Sequence, residues 1–249
     1  MKTILYSLII LFSINTFSQE SHRRWRKMNQ VRNDKFDLVL PEAMRENNID
    51  MWIVTNREGN FDPLYTDMGE GYVGSTGYYI FTDKGGDRIE RAVLGIGGYL
   101  LEGSGAFDYF GSQTELKAFV EARNPKRIGL NISKNYGGAD GLTHSSYLEL
   151  SEILGKKYEN RFVSAEKLVS DFRSRRVASE IAIYGEAGEL SYTIAERAFS
   201  NEVITPGVTT LEYVAWWMKE QQYKHNLGSS IGMPSVYITG PDGVEATSS

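Results

Sequence analysis

Apolar and polar positions along residues 28–155 follow two alternating patterns. Compact apolar runs predict strands over residues 49–55, 77–83, 91–97 and 127–133. Segments with a helical spacing of apolar residues predict helices over residues 28–48, 114–124 and 142–155. Pro41 predicts a break within the first helix, and Gly155 predicts the end of the last. Strands that alternate with helices of this length predict an α/β fold with a largely parallel or mixed sheet.

The pattern changes after a charged segment at residues 161–176. Residues 179–201 carry apolar side chains at nearly helical spacing, which predicts one long amphipathic helix. A Pro-Gly pair then interrupts the pattern. Thr209 and Glu212 follow with the spacing of a capping box, which predicts a second helix over residues 210–225.

The last residues resemble an unfinished β-hairpin. Val236 to Ile238 has strand character, and the Gly-Pro-Asp-Gly sequence that follows is typical of a turn. Only a fraction of a second arm comes after the turn, so we predict that the hairpin lacks its partner strand. With so little sheet, each of the two preceding helices is expected to expose an apolar face. We therefore expect the polypeptide to continue past Ser249 and the second domain to be incomplete here.

The first 18 residues have the features of a secretory signal peptide. Lys2 gives a positive start, and an apolar run follows from Ile4 to Ile14. Thr16 and Ser18 then supply the small residues that signal peptidase requires, which predicts a cut after Ser18. The apolar run is shorter than the roughly 20 residues that span a bilayer. We expect the mature protein to be exported, either to the periplasm or outside the cell.

Composition excludes several classes of function. The chain has no cysteine, so disulfides, Cys-ligated zinc and thiol catalysis are excluded. The formal net charge is -5, and removal of Lys2 with the signal peptide makes it -6. One basic cluster is apparent, at residues 22–27, and it is too short for a nucleic-acid footprint. We expect no nucleic-acid partner, and no membrane partner once the signal peptide is removed.

One motif resembles a catalytic nucleophile. Gly228 to Gly232 matches the pattern G-x-S-x-G, with Ser230 at the position of the nucleophile. That motif requires a strand before it, a helix after it and a histidine later in the chain. Here a polar helix is predicted before it, a Met-Pro pair follows, and the last histidine is His225. We interpret the segment as a loop.

Other candidate residues have simpler interpretations. The glycines of residues 95–105 lack the spacing of a phosphate-binding loop and predict a turn-rich connection. Three carboxylates lack the spacing of a calcium loop and predict solvated side chains: Asp62, Asp67 and Glu70.

The histidines are widely separated: His22, His144 and His225. Three acidic residues are predicted to lie on the solvent-exposed face of the long helix: Glu186, Glu189 and Glu196. Asn131-Ile132-Ser133 is a glycosylation sequon. We assign no catalytic, cofactor-binding or metal-binding residue within the chain.

Three stretches, in this order, resemble one enzyme family. Residues 40–63 (LPEAMRENNIDMWIVTNREGNFDP) resemble the opening of the creatinase-like domain that precedes aminopeptidase P and prolidase catalytic domains. Residues 171–199 resemble the junction of that domain with the long first helix of the pita-bread fold. Residues 203–218 resemble the family's Pro-Gly turn and second helix. The chain is thus similar to the M24 metallopeptidases, which include Xaa-Pro aminopeptidases, prolidases and creatinases.

The resemblance implies a fold and a domain division. Residues 28–170 would form a creatinase-like α/β domain, a mixed sheet flanked by helices. Residues 171–249 would begin a pita-bread α/β catalytic domain that is incomplete here. The implied activity is that of an exported Xaa-Pro aminopeptidase, which hydrolyses the N-terminal peptide bond of a peptide substrate. The resemblance also allows a homodimer through the N-terminal domain.

The family's chemistry implies two divalent metal ions (Mn, Zn or Co) in the full-length enzyme. The ions hold a bridging water, and two Asp, one His and two Glu bind them. No residue of this chain matches that ligand set, so we expect the ligands past Ser249 and this chain alone to be inactive. The family places a catalytic histidine close to residues 246–248, where this chain has Ala-Thr-Ser. That departure bears on specificity for proline.

Three alternatives remain open. A prolidase would share the fold and the metal ligands, and a creatinase-type amidinohydrolase would share the fold and work without metal. A non-catalytic homologue would keep the fold as a peptide-binding module. Retention of the ligand set would indicate a metallopeptidase.

Overall fold

The structure is a computed structural model that describes residues 20–229 and 232–248. The predicted signal peptide at residues 1–18 and the predicted loop residue Ser230 lie outside the described residues. The chain divides into two compact units between Ser179 and Glu180. They are called unit 1 and unit 2, and each is described by itself.

Unit 1 is built on one six-stranded sheet. Its strands are β1 (Met51–Arg57), β2 (Tyr72–Thr82), β3 (Glu90–Gly97), β4 (Tyr109–Gly111), β5 (Ile128–Leu130) and β6 (Phe162–Ser164). They lie in the order β4-β3-β2-β1-β5-β6. β2 is antiparallel to β1 and β3, whereas β3–β4, β1–β5 and β5–β6 are parallel pairs. The predicted α/β fold with a mixed sheet flanked by helices is confirmed.

Helices flank this sheet. They are α1 (Glu20–Leu38), α2 (Leu40–Glu46), α3 (Tyr65–Met68), α4 (Tyr99–Glu102), α5 (Leu116–Arg123), α6 (His144–Leu154), α7 (Lys156–Glu159) and α8 (Glu166–Ser174). The predicted break at Pro41 is confirmed, because this proline occupies the first turn of α2, where its missing N–H has no helical partner. Gly155 ends α6 with φ 74°, a conformation that glycine adopts at little cost.

Two hydrophobic clusters cover the two faces of the sheet. Successive side chains of a strand point to opposite faces, so β1 contributes to both clusters. One cluster contains Phe36, Leu40, Trp52, Val54 and Phe172. The other contains Met51, Ile53, Phe119, Val120 and Leu150. The apolar run that predicted β1 is continuous because helices cover this central strand on both sides.

Four strands of the sheet differ from the sequence-based expectation, and one of them, β5, ends at Leu130, three residues before the predicted end at residue 133. β4 and β6 have three residues each and were not predicted, because so short a segment shows no period. β2 begins at Tyr72, well before the predicted start at residue 77. Its pairing with β3 is irregular between Val73 and Tyr78, where small and polar residues interrupt the apolar run.

Unit 2 consists of two helices and a hairpin. Its elements are α9 (Ala178–Ala198), whose first two residues belong to unit 1, α10 (Leu211–Lys224), β7 (Tyr237–Gly240) and β8 (Gly243–Thr247). The prediction that the hairpin lacks its second arm is wrong, because β7 and β8 pair from Tyr237↔Thr247 to Gly240↔Gly243. Gly243 has φ 117°, which lets β8 begin directly after a two-residue Pro-Asp loop.

The predicted capping box of α10 is also wrong. Thr210 is the N-cap, and its Oγ1 accepts a hydrogen bond from the N–H of Tyr213 at 3.2 Å. The Thr209 hydroxyl is used in the preceding turn, where it accepts from the N–H of Thr205 and donates to the carbonyl of Val203. The cap therefore lies one residue later than the capping-box spacing indicates.

Unit 2 exposes much of its apolar surface. Its core is small and consists of Ala198, Val203, Val214, Ala215 and Val236. Large apolar side chains on both helices are more than half exposed: Ile181, Tyr184, Tyr192, Tyr213 and Trp216. Phe199, directly after α9, is also more than half exposed. The expectation that each helix exposes an apolar face is confirmed for the described residues.

Candidate functional site

Polar side chains gather where β1 and β5 end. These two neighbouring strands are parallel, so their carboxyl ends meet at one edge of the sheet. Asn56 lies near the end of β1, Asp62 lies in the loop that follows, and Asn131 comes directly after β5. The exposed fractions of these side chains are 0%, 3% and 1%. Open α/β sheets bind ligands outside the carboxyl ends of their strands, so this cluster is the first candidate site.

A chain of hydrogen bonds connects the cluster. Trp52 Nε1 donates to Asn131 Oδ1 at 2.8 Å, and Asn131 Nδ2 donates to Asp62 Oδ2 at 2.9 Å. The other carboxylate oxygen, Asp62 Oδ1, accepts from the N–H of Leu64 at 2.9 Å. The N–H of Asp62 itself donates to Asn56 Oδ1 at 3.0 Å. These bonds fasten the loop after β1 to the core of the sheet.

The surroundings of Asp62 are buried and tightly packed. Burial raises the pKa of Asp62, and the hydrogen bonds from Leu64 and Asn131 oppose that rise. A Cβ at Gly141 would lie 2.0 Å from Asp62 Oδ2, so a larger residue at that position would displace the carboxylate. Asn56 Nδ2 has no hydrogen-bond partner within the described part of the chain. The geometry indicates a structural latch, called here the Asp62 latch, rather than an open catalytic centre.

A groove between α1 and α4 is the second candidate site. Its apolar walls are formed by Trp25 and Met28 of α1 and by Leu100 and Leu101 of α4. Its volume is about 200 Å³, below the range of about 300–1,000 Å³ for small-molecule sites. The groove therefore has the size of a pocket for a side chain. It is called here the α1–α4 groove.

Polar groups form the remaining wall of the α1–α4 groove. Arg32 Nε donates to the carbonyl of Asp67 at 3.0 Å, which fixes the guanidinium against the end of α3. Gly69 lies in this wall with φ 106°, and a Cβ there would be 3.0 Å from Leu101 and 3.1 Å from Arg32. Glu70 is exposed, and its Oε1 accepts from the Thr66 hydroxyl at 2.9 Å.

The three carboxylates that were considered as a calcium loop each have a separate role. Asp62 belongs to the latch, so the prediction of a solvated side chain is wrong for this residue. Asp67 is half-buried and forms an ion pair with Arg173 at 3.0 Å. Burial raises the pKa of Asp67, and the charge of Arg173 opposes that rise. The solvated side chain expected of Glu70 is confirmed.

The other sequence candidates are placed as follows. His144 begins α6 directly after Thr143, whose hydroxyl caps the helix. His22 stacks on Trp25 at 5.7 Å. The three acidic residues predicted to lie on the solvent-exposed face of α9 are exposed: Glu186, Glu189 and Glu196. The predicted turn-rich connection at residues 95–105 contains the end of β3 and the short helix α4, so that prediction is only partly correct.

The sequon at Asn131 is not available in the folded protein. Both side-chain groups of Asn131 are used in the Asp62 latch, and the residue is buried. Sequence reasoning missed its role, although a signal was present. Asn56 and Asn131 each come near the end of an apolar run that predicts a strand, and parallel neighbours bring such positions together.

The described residues contain neither a cluster of metal ligands nor a membrane-spanning helix. Within residues 20–229 and 232–248, no three His, Cys, Asp or Glu side chains form a group that could hold a metal ion. The residues present therefore do not fit the dinuclear centre that the family resemblance implies. In the same part of the chain, no helix combines the length and the apolar character that crossing a membrane requires.

Comparison with known proteins gave a negative result. No protein-family model matches the chain, and no curated protein matches it.

Proposed function

We propose that this chain is part of an exported, metal-dependent aminopeptidase of the M24 type, most similar to Xaa-Pro aminopeptidases. The observation that carries the proposal is the order of three stretches that resemble the family, at residues 40–63, 171–199 and 203–218. In this proposal, unit 1 is a creatinase-like N-terminal domain and unit 2 begins the pita-bread domain. The substrate is a peptide, and the reaction releases its N-terminal residue.

The architecture supports this proposal at a coarse level. The stretch at residues 40–63 covers α2, β1 and the loop that carries Asp62. The stretch at residues 171–199 includes the end of α8 and the whole of α9, the long helix that opens unit 2. A mixed α/β unit followed by a separate unit with a long first helix is the arrangement that the resemblance implies.

The two divalent metal ions of the proposed enzyme need ligands from outside the described residues. Hard carboxylate oxygens are required to keep two dications close together despite their repulsion. In this proposal, unit 1 is the domain that precedes the metal centre. Unit 2 contributes the first helices of the catalytic domain, which support that centre.

Calorimetric titration with Mn²⁺ tests the proposal. The 249-residue chain is expected to bind Mn²⁺ weakly and without stoichiometry, whereas the native full-length protein is expected to bind two ions tightly. Tight two-site binding by the 249-residue chain would contradict the placement of the centre. A native protein that binds no metal would favour the creatinase-type enzyme or the peptide-binding homologue. Mass spectrometry of the exported protein, with Gln19 as its expected first residue, tests the export part of the proposal.

A further inference from the structure

Helix α9 is held mainly at its two ends. At its start, Val177 is 5% exposed in the core of unit 1, and the Ser179 hydroxyl donates to Asp34 Oδ2 of α1. At its end, Ala198 is fully buried in the core of unit 2. Of the described residues 180–193, which form the middle of the helix, none is buried. This stretch therefore gains little from tertiary packing, which supplies most of the stability of helices in proteins.

Two glycines weaken the same stretch of α9. Gly185 and Gly188 both lie inside the helix. In the described chain, a Cβ at either glycine would meet nothing within 4 Å beyond the backbone of its own helix. Neither glycine therefore makes room for a neighbouring group. Each lowers the population of the helical form about fivefold relative to alanine, because glycine loses more backbone freedom when a helix forms.

Two hydroxyl side chains weaken the following turn. Ser191 Oγ donates to the carbonyl of Ala187 at 2.8 Å, and Thr193 Oγ1 donates to the carbonyl of Glu189 at 2.9 Å. Side-chain bonds to the carbonyl four residues earlier slightly destabilise a helix and often bend it. Isolated helices shorter than about 12–15 residues are marginal in water even when they are rich in alanine. The stretch of residues 180–193 has about that length and a less favourable composition.

We infer that α9 opens locally over residues 180–193 while the core of unit 1 stays folded. Opening breaks the helical hydrogen bonds of this stretch and exposes no core side chain. Helix α6 gives the contrast within the same chain, because its buried Leu150 and Leu154 belong to the core of unit 1. The opened backbone is open to an endoprotease, at Tyr184 and Tyr192 for an enzyme that cuts after aromatic residues. This inference does not depend on the proposed peptidase activity.

Amide hydrogen exchange of the full 249-residue chain, measured by mass spectrometry, tests the inference. The amides of residues 184–193 are expected to exchange at least about 100-fold faster than those of residues 148–154 in α6. Gly185→Ala combined with Gly188→Ala is expected to slow the exchange in α9 about twentyfold. Gly137→Ala, at another glycine where a Cβ meets nothing within 4 Å, is the control and is expected to leave it unchanged. Exchange in α9 as slow as in α6, or no effect of the double substitution, would overturn the inference.

A substitution in unit 1 separates local opening from unfolding of the whole chain. Ile53→Val is a mild truncation in the core of unit 1 and is expected to speed exchange of the slowest β1 amides about fivefold. The amides of residues 184–193 are expected to keep their rate, because their opening leaves that core intact. Equal acceleration of both sets of amides would overturn the inference, since α9 would then open only together with unit 1.

Cleavage by chymotrypsin under native conditions gives a second readout. Proteolysis follows the population of the open form when opening and closing are fast relative to cleavage. The double substitution Gly185→Ala, Gly188→Ala is therefore expected to slow cleavage after Tyr184 or Tyr192 about twentyfold. An unchanged cleavage rate at these two tyrosines would contradict local opening of α9.

Discussion

At the scale of single residues, the Asp62 latch depends on the identity of one carboxylate. The chain of hydrogen bonds begins at Trp52 Nε1 and ends at the N–H of Leu64, and both of these groups can only donate. Asn131 has one donor side and one acceptor side. Asp62 must therefore accept at both oxygens. An asparagine at position 62 would have one amide oxygen and one NH2 group. Whichever way the amides of residues 62 and 131 are flipped, one pair of N–H donors in the chain would face each other without an acceptor.

We predict that Asp62→Asn lowers the free energy of unfolding by about 1–3 kcal/mol, the typical effect of leaving a buried polar group unsatisfied. In a Trp52→Phe background one terminal donor is absent, so Asn131 can turn and the cost of Asp62→Asn is expected to be about 1 kcal/mol smaller. Urea denaturation of the four chains of this cycle measures both quantities. Asp87→Asn, in an exposed loop, is the control. Additive effects of the two substitutions would contradict the donor argument.

The same residue gives a pH dependence with a definite sign. Burial raises the pKa of Asp62 in the folded state above its ordinary value of 3.8. The folded chain therefore holds this proton at a pH where the unfolded chain has released it. The stability that Asp62 contributes through its raised pKa is fully present below pH 3.8. It is lost as pH rises through the pKa of Asp62 in the folded state. In the denaturation experiments above, the difference between wild type and Asp62→Asn should therefore grow as pH falls through that interval, because the protonated carboxyl no longer carries a buried charge and still has a lone pair on each oxygen to accept from Asn131 and Leu64.

At the scale of elements, buried contacts hold α1 to the end of α8. Lys35 of α1 is 6% exposed, and its Nζ donates to the carbonyl of Phe172 at 2.9 Å and to that of Arg173 at 3.3 Å. The last carbonyls of a helix have no helical partner and carry the negative end of the helix dipole. The ammonium therefore supplies a donor to both carbonyls, and the carbonyl of Arg173 also accepts from Arg176 Nη1 at 3.0 Å.

We predict that Lys35→Met, which keeps the apolar stem but removes the donor, lowers the free energy of unfolding by about 1–3 kcal/mol. Lys117→Met on the exposed face of α5 is the matched control and is expected to change it by less than about 0.5 kcal/mol. Chemical denaturation followed by tryptophan fluorescence measures the difference. Equal stability of the two variants would show that Lys35 does not stabilise the end of α8.

The cap of α10 provides a second test at this scale. Thr210→Ala removes the acceptor for the N–H of Tyr213 and is expected to cost about 0.5–2 kcal/mol, whereas Thr210→Ser retains the hydroxyl and most of the stability. Helix content by circular dichroism during thermal unfolding distinguishes the two. A Thr210→Ala variant as stable as the wild type would contradict the assignment of Thr210 as N-cap.

Elements with a long periodic signal could be predicted from the sequence. β1, β3, α6 and α9 come close to the predicted bounds because their apolar residues define a face over several turns or a full strand. β4 and β6 are too short to show a period, and they form because a neighbouring strand offers unpaired backbone groups. The site was less predictable. The Asp62 latch joins residues far apart in sequence, and the α1–α4 groove depends on where Leu100 packs against α1.

At the scale of the whole molecule, unit 1 has the core of an independent domain. Its two clusters cover both faces of one sheet, and the first of them extends to Phe172 and Val177, which are 2% and 5% exposed. The predicted domain limits of 28–170 and 171–249 describe the proposed family domains and stay a prediction. The compact unit that the structure shows ends at Ser179.

We predict that a chain of residues 20–179 folds by itself with one cooperative urea transition. A chain that ends at residue 171 loses Phe172, Val177 and the two carbonyl acceptors of Lys35. It is expected to be less stable by about 3 kcal/mol or more, the cost of removing a buried aromatic side chain. Trp25 and Trp52 report on both chains. Equal midpoints would contradict the assignment of Phe172 and Val177 to the core.

The measurement that tests the central proposal most directly is release of the N-terminal residue from an Xaa-Pro peptide by the native full-length protein. We expect turnover in the presence of Mn²⁺, loss of turnover with a chelator and recovery when Mn²⁺, Zn²⁺ or Co²⁺ is restored. Creatine, assayed in parallel, is expected to remain unchanged. Turnover of the peptide that survives complete removal of metal, or no turnover of the peptide with any of the three metals, would contradict the proposal.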